Sequence, residues 1–156
     1  MSDGVTITFD QASIDAAMRQ IEAHLSGKLR EVRTLCQKYA LIVQGKAKRN
    51  LANDPRRIDK GTLRQSIHWR QNEGIEFDVY TALEYAAFVH FGTGLYGTNP
   101  AGGHRQTPWV YYDAARKRFV LTRGMKPNPF MLNAINEVKD DFFRDLLALF
   151  RDANNG

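Results

Sequence analysis

The chain has 156 residues, 43% apolar and 25% charged, with a formal net charge of +5. Those figures describe a folded soluble protein with one ordinary domain and a modest core, and they exclude a disordered chain. No apolar run reaches the roughly 18–20 residues of a membrane span.

The opening MSDGVTITFD has no basic segment followed by an apolar stretch, so no signal peptide is read and folding in the cytoplasm is expected. Cys36 is the only cysteine, which excludes an internal disulfide and a thiolate-rich zinc site. It falls on an apolar helical phase and reads as a buried, inert thiol. The charge is unevenly spread. Residues 28–70 carry twelve bases against three acids, residues 71–103 carry four acids and no Lys or Arg, and residues 104–126 carry six bases against one acid. A basic surface attracts nucleic acid or an acidic partner; a solvated helix face with basic loops accounts for the same counts.

In chain order, Val5, Ile7 and Phe9 alternate with threonines and predict a short strand. Asp10 or Ser13 then caps a helix. Ile14, Met18, Ile21, Leu25, Leu29, Val32, Cys36, Tyr39, Val43 and Ala47 recur at three- and four-residue steps, which predicts about nine turns of one amphipathic helix. Gly27 and Gly45 permit a bend in it. A helix of that length in so small a domain implies that part of its stripe packs on another subunit.

The helix is expected to fail near Asn53-Asp54-Pro55, because proline disfavours helical geometry in the residue before it. The segment 47–61 is polar and basic and reads as a mobile loop. In TLRQSIHWR, Leu63, Gln65, Ile67 and Trp69 fall on one side of a strand; Ile75, Phe77, Val79 and Thr81 repeat the pattern after the Asn72-Glu73-Gly74 turn. A β-hairpin follows from the pair. Residues 85–91 form a short apolar helix or turn ended by Gly92, and 92–108 a long glycine-containing loop. A second hairpin brackets residues 113–117, and a last helix runs from Phe130 to about Arg151 on a stripe of Met131, Ala134 or Ile135, Val138, Phe142, Leu146, Leu149 and Phe150. The expected architecture is α+β: a small antiparallel sheet of two hairpins, packed with a long N-terminal helix and a C-terminal helix. Residues 1–156 make one domain, with mobile loops near 44–62 and 92–108.

Catalytic and metal-binding patterns are missing from the sequence. His90 and His104 flank the glycine-rich loop, but no HExxH, HxH or Cys/His ligand spacing accompanies them. Phe91-Gly-Thr-Gly94 lacks the further residues of a phosphate-cradling loop. Ser66 and His68 have no acidic residue in register for a triad. No catalytic, cofactor-binding or metal-binding residue is assigned, and no cofactor is expected. Non-specific DNA binding is the stronger rival: Lys46, Lys48, Arg49, Arg56, Arg57 and Lys60 supply charge, and Trp69, Trp109, Tyr111 and Tyr112 supply stacking surfaces. Against it, those aromatics alternate within the hairpins as core residues do.

Three segments carry a family resemblance. Lys60-Gly-Thr-Leu-Arg-Gln-Ser-Ile67 resembles the "TGxLRxSI" opening of a phage tail-component family. Tyr85-Ala-Ala-Phe-Val-His-Phe-Gly-Thr-Gly94 resembles its "YAxxVExGT" segment, and Pro129-Phe-Met-Leu-Asn-Ala134 its closing "PFMxPA". Thr107–Tyr112 and Thr122–Gly124 resemble an insertion common among members. The likeness spans roughly residues 15–150, with His90 where the family usually has Glu and Asn133 where it has Pro.

The resemblance implies a virion protein of long-tailed phages, a tail-completion or neck component at the head–tail junction. It implies a homo-oligomeric ring, with head-connector and tail-tube or tail-terminator proteins as partners, possible contact with DNA in the channel, and no membrane. The motif residues expected to serve structure or assembly are Leu63, Arg64, Ser66, Tyr85, His90, Gly92, Thr93, Gly94, Pro129 and Phe130. Gly92 and Gly94 should permit a sharp turn. Leu63, Ile67, Tyr85, Val89, Phe91 and Phe130 should fill the core. Arg64 should point away from Leu63 towards an acid of its own chain or a neighbour.

Overall fold

The computed structural model describes residues 4–8, 10–22, 28–56, 60–98 and 105–151. The elements run β1 (Thr6–Thr8), α1 (Gln11–Glu22), α2 (Lys28–Ala52), α3 (Lys60–Gln65), β2 (His68–Gln71), β3 (Phe77–Tyr80), α4 (Tyr85–Phe91), β4 (Trp109–Asp113), β5 (Arg118–Thr122) and α5 (Phe130–Arg151). The fold is α+β, with a long helix in the N-terminal half and a C-terminal helix as expected, but the stripe expected on one helix of about nine turns is divided between α1 and α2.

Helix α2 ends three residues before Pro55, where the proline forbids a further turn. Residues 44–52 are therefore its last turns, and Leu51 among them is fully buried. Val32, Cys36, Tyr39, Val43 and Ala47 are all buried. Most of what covers them is α5, whose Phe130, Met131, Ala134, Val138, Phe142 and Leu146 are buried in turn. The pairs Tyr39–Asp145, Lys46–Glu137 and Asn50–Phe130 set the two helices antiparallel. The α2 stripe is thus satisfied within one chain, and its length does not require a second subunit. Ile14 and Met18 of α1 are buried too. Leu29, expected on the stripe, is 37% exposed. Leu25 and Gly27 lie outside the described residues.

The first sheet has three antiparallel strands in the order β1-β3-β2. Thr6 pairs with Tyr80 on one edge of β3, and His68 pairs with the same residue on the other. Strand β3 is accordingly the buried centre, with Phe77, Asp78 and Val79 all below a tenth exposed. Asp78 meets Arg70 across the strands at 2.9 Å, and the Arg70 guanidinium lies 4.6 Å from the Tyr80 ring centroid.

The strand expected from residue 62 begins only at His68; residues 60–65 are helix α3. Leu63 and Ile67 are both fully buried, but Gln65 between them is exposed. A four-residue spacing places two side chains on one side of a helical turn as readily as on one side of a strand, and Gln65 decides between the two. Ser66 closes the turn, its N–H donating to Thr62 O at 3.0 Å and its hydroxyl to Leu63 O at 2.7 Å.

The second hairpin forms as expected but does not join the first sheet; β4 and β5 make a separate two-stranded ribbon. Its aromatics do not behave as core residues. Trp109 is half-buried, whereas Tyr111 and Tyr112 are 44% and 54% exposed.

Candidate functional site

The second motif segment meets residues 123–128, which lead into the third, through backbone. Helix α4 ends at Gly92, with φ 75°, a left-handed geometry that glycine adopts at little cost. A Cβ there would lie 2.7 Å from Met125 O, and one on Gly124 (φ 103°) 2.1 Å from Thr93 O. Thr93 N–H donates to Met125 O at 2.8 Å, and Met125 N–H returns a bond to the Thr93 hydroxyl at 3.0 Å. Asn128 N–H then reaches Val89 O at 2.8 Å. Two chain segments more than thirty residues apart are thereby clamped side by side, in contact too close for side chains between them. Gly94 packs under the Trp109 ring, where a Cβ would come within 2.5 Å, and its carbonyl accepts from Arg105 N–H at 2.9 Å.

Beside this clamp lies a polar knot that the sequence reading missed. Asp54 is 5% exposed. Its carboxylate accepts from Arg56 Nε at 2.8 Å and from Asn128 Nδ2 at 2.8 Å, and it pairs with the Arg56 terminal nitrogen as well. The Arg56 guanidinium also reaches Lys126 O, and Lys60 donates to Asp54 O. The Arg56 hydrogen bond holds the Asp54 carboxyl well below the usual carboxylate range, against the opposing effect of burial. One residue thus fastens the end of α2, the following loop and the approach to α5. The available signal was its isolation, as one of three acids among twelve bases in residues 28–70.

The other motif residues are placed as follows. Leu63 and Phe130 are fully buried, and Tyr85 packs half-buried against the core. The Ser66 hydroxyl lies 2.7 Å from the Thr81 hydroxyl, which accepts from Leu83 N–H; this ties α3 to the start of α4. Pro129 O accepts from Asn133 N–H in the first turn of α5. Arg64 is exposed beside Lys48, Gly61 and Gln65, and no acid pairs with it among the described residues.

His90 is 6% exposed, and neither ring nitrogen has a partner. It sits edge-on to Phe91 and Phe130, at 4.6 and 5.4 Å between centroids. Burial lowers its pKa to about 4, so it is neutral at pH 7. Burial likewise pushes the Cys36 thiol up to about 11.

Among the described residues no group of three or more His, Cys, Asp and Glu is placed to hold a metal ion; His104 lies outside them. Of the basic cluster expected to touch DNA, Lys46 pairs with Glu137 at 3.2 Å, while Arg56 and Lys60 are spent on Asp54. Arg57 is outside the described residues. No helix among those described is long and apolar enough to cross a membrane.

Fold and site together define a small α+β structural module whose motif residues hold backbone to backbone. The chain belongs to the HK97-gp10-like family, described as "Bacteriophage HK97-gp10, putative tail-component", whose pattern matches residues 15–92, half of the chain. It is a bacteriophage tail component, a structural protein of the virion. No curated protein and no solved structure matches the chain.

Proposed function

We propose that this tail component acts at the head–tail junction, assembling as a homo-oligomeric ring that completes the tail and joins it to the head connector. Its partners are then the connector on one side and a tail-tube or tail-terminator protein on the other, after assembly in the host cytoplasm. The observation that carries this reading is a division of labour. The motif residues other than Arg64 serve internal packing and fastening, while large apolar side chains stand exposed on α4, α5 and the β4–β5 ribbon. Contiguous exposed apolar surface of that kind marks contact with other proteins.

The expected result of light scattering coupled to size exclusion is a discrete closed oligomer that nuclease treatment leaves unchanged. A monomer that joins tails only with a purified connector present would replace self-assembly by templated assembly. The rival reading, non-specific DNA binding, requires affinity that falls steeply with salt. A flat titration would dismiss it. Of the segments 44–62 and 92–108, residues 44–52 and 60–62 are already helix, so the connection between α2 and α3 and the 92–108 loop are what we expect to gain order on assembly, at an entropic cost met by the new contacts; hydrogen exchange equal in free and assembled protein would refute that.

A further inference from the structure

The β4–β5 ribbon has one anchored face and one bare face. Directly opposed residues of an antiparallel pair project to the same side. The register Val110↔Leu121 and Tyr112↔Phe119 therefore gathers four large apolar side chains on one face. Their exposures are 57%, 69%, 54% and 74%. The opposite face carries Trp109, Val120 and Thr122, all half-buried, with Tyr111 opposite Val120 at 44% exposure. Trp109 is pinned between Gly94 and the Arg105 guanidinium, which lies 4.5 Å from its ring centroid. A lone two-stranded ribbon is marginal in water, so four bare apolar side chains on its outer face call for a cover.

The same chain carries a second bare apolar surface. On α5, Phe143 and Leu147 stand one turn apart, 51% and 55% exposed, on the side turned away from buried Val138, Phe142 and Leu146. Leu132, three turns earlier, stands on the same side at 49% exposure, with exposed Asn136 and Lys139 between. Charge separates the two surfaces. Residues 105–123 hold five Arg and Lys against Asp113, and residues 137–145 hold Glu137, Asp140, Asp141 and Asp145 against Lys139 and Arg144. Arg116 is engaged with Asp113, which leaves Lys117 and Arg118 at the ribbon's tip without an acidic partner among the described residues. On α5, Glu137 is paired with Lys46, and Asp141 and Asp145 with Arg144, which leaves Asp140, next to the stripe, without an ion pair among the described residues.

We infer that the bare face of the β4–β5 ribbon docks on the outer stripe of α5 in a second copy of this chain. The two surfaces match in apolar character and oppose in charge, and neither covers the other within one chain. A contact between two different patches repeats head to tail, and closes into a ring when the rotation per step divides the circle. Five-residue strands span about 17 Å, so the ribbon alone falls short of the roughly 800 Å² per partner of a stable interface. It serves as the apolar anchor, and the opposed charges around it fix the direction.

This inference rests on the ring reading above, and the experiment separates the two. Phe119→Asp with Leu121→Asp, and separately Phe143→Asp, should each weaken self-association about 30-fold or more, as loss of a buried anchor does. Urea midpoints should stay unchanged, because the altered side chains are exposed in the single chain. Leu121→Cys chains mixed with Leu147→Cys chains should form the mixed disulfide on oxidation, with buried Cys36 taking no part. Lys117→Glu should weaken assembly, and Asp140→Lys on the same chain should restore it. An oligomer of unchanged mass in the Phe119/Leu121 variant would overturn the docking while leaving the ring standing on another contact. Unchanged mass with lost incorporation into tails would assign the ribbon to a different virion protein and overturn the second-copy occupant. A wild-type monomer at every concentration, with no mixed disulfide, would overturn both readings.

Discussion

The α2–α5 pair and the β4–β5 ribbon are built from similar residues put to opposite use. In the pair, Phe142 meets Tyr39 edge-on at 5.3 Å between centroids, and the Tyr39 hydroxyl donates to Asp145 at 2.6 Å. Burial first, and then that carboxylate, push the Tyr39 pKa up to about 12. In the ribbon, Tyr112 meets Phe119 with the same ring geometry and the same centroid distance of 5.3 Å, but both rings are more than half exposed. The same aromatic contact is core in one region and surface in the other. What differs is the cover: a 22-residue helix lies over the first, and nothing among the described residues lies over the outer face of the second. Folding stability should therefore reside in the helical pair, and association in the ribbon.

The sharpest way to break that contrast is truncation. Phe142→Ala should cost about 4 kcal/mol by urea unfolding, the loss of a buried ring plus the cavity it leaves. Phe119→Ala should change stability by no more than about 0.5 kcal/mol. Comparable losses at the two sites would show that the ribbon is part of the folding core.

Asp54→Asn should cost about 3 kcal/mol, because it leaves the Arg56 charge without its partner in a buried setting. The pH dependence has a defined sign. The folded carboxyl is depressed, so its stabilisation is present above the unfolded value near 3.8 and is lost as pH falls through the folded value. Asp54→Asn should abolish that part of the acid destabilisation.

His90 acts at milder acidity. Its folded pKa of about 4 lies below the ordinary histidine value of 6.5, so the unfolded chain takes up a proton first and stability falls as pH drops below 6.5. The loss amounts to about 2 kcal/mol by pH 5. His90→Leu should flatten the thermal-midpoint profile between pH 7 and pH 5; an unchanged profile would place the sensitivity elsewhere. The smallest expected effect concerns Cys36, which should resist a thiol reagent in folded protein and react once urea unfolds it.

Much of the helical architecture was legible because burial there is periodic. The α2 stripe from Val32 to Ala47 and the α5 stripe from Met131 to Leu146 read directly as buried positions. Helix α3 was not legible, since Leu63 and Ile67 satisfy both periods and only the exposure of Gln65 separates them. The ribbon's strands were legible, but not their surroundings: Trp109, Val110, Tyr111 and Tyr112 are apolar at every position, so parity carries no information about which face the body covers. Asp54 escaped because its partners Arg56 and Asn128 are recruited from different segments, and only the tertiary fold brings them together. The glycines of the motif were expected to turn the chain; that Gly92 and Gly124 also admit a second backbone is a fact of the fold.

The clamp between residues 89–93 and 125–128 has a consequence for how this protein can change over time. The chain leaves the body at Gly92 and returns at Met125 within hydrogen-bonding distance of its departure point. An excursion whose two ends already touch can be lengthened, shortened or exchanged without moving either flanking helix, because the closure cost grows only with the logarithm of its length. The match to the family covers residues 15–92 and ends at the departure point. The body can thus keep its sequence under the demands of folding, while the ribbon is free to follow the shape of whatever it must grip.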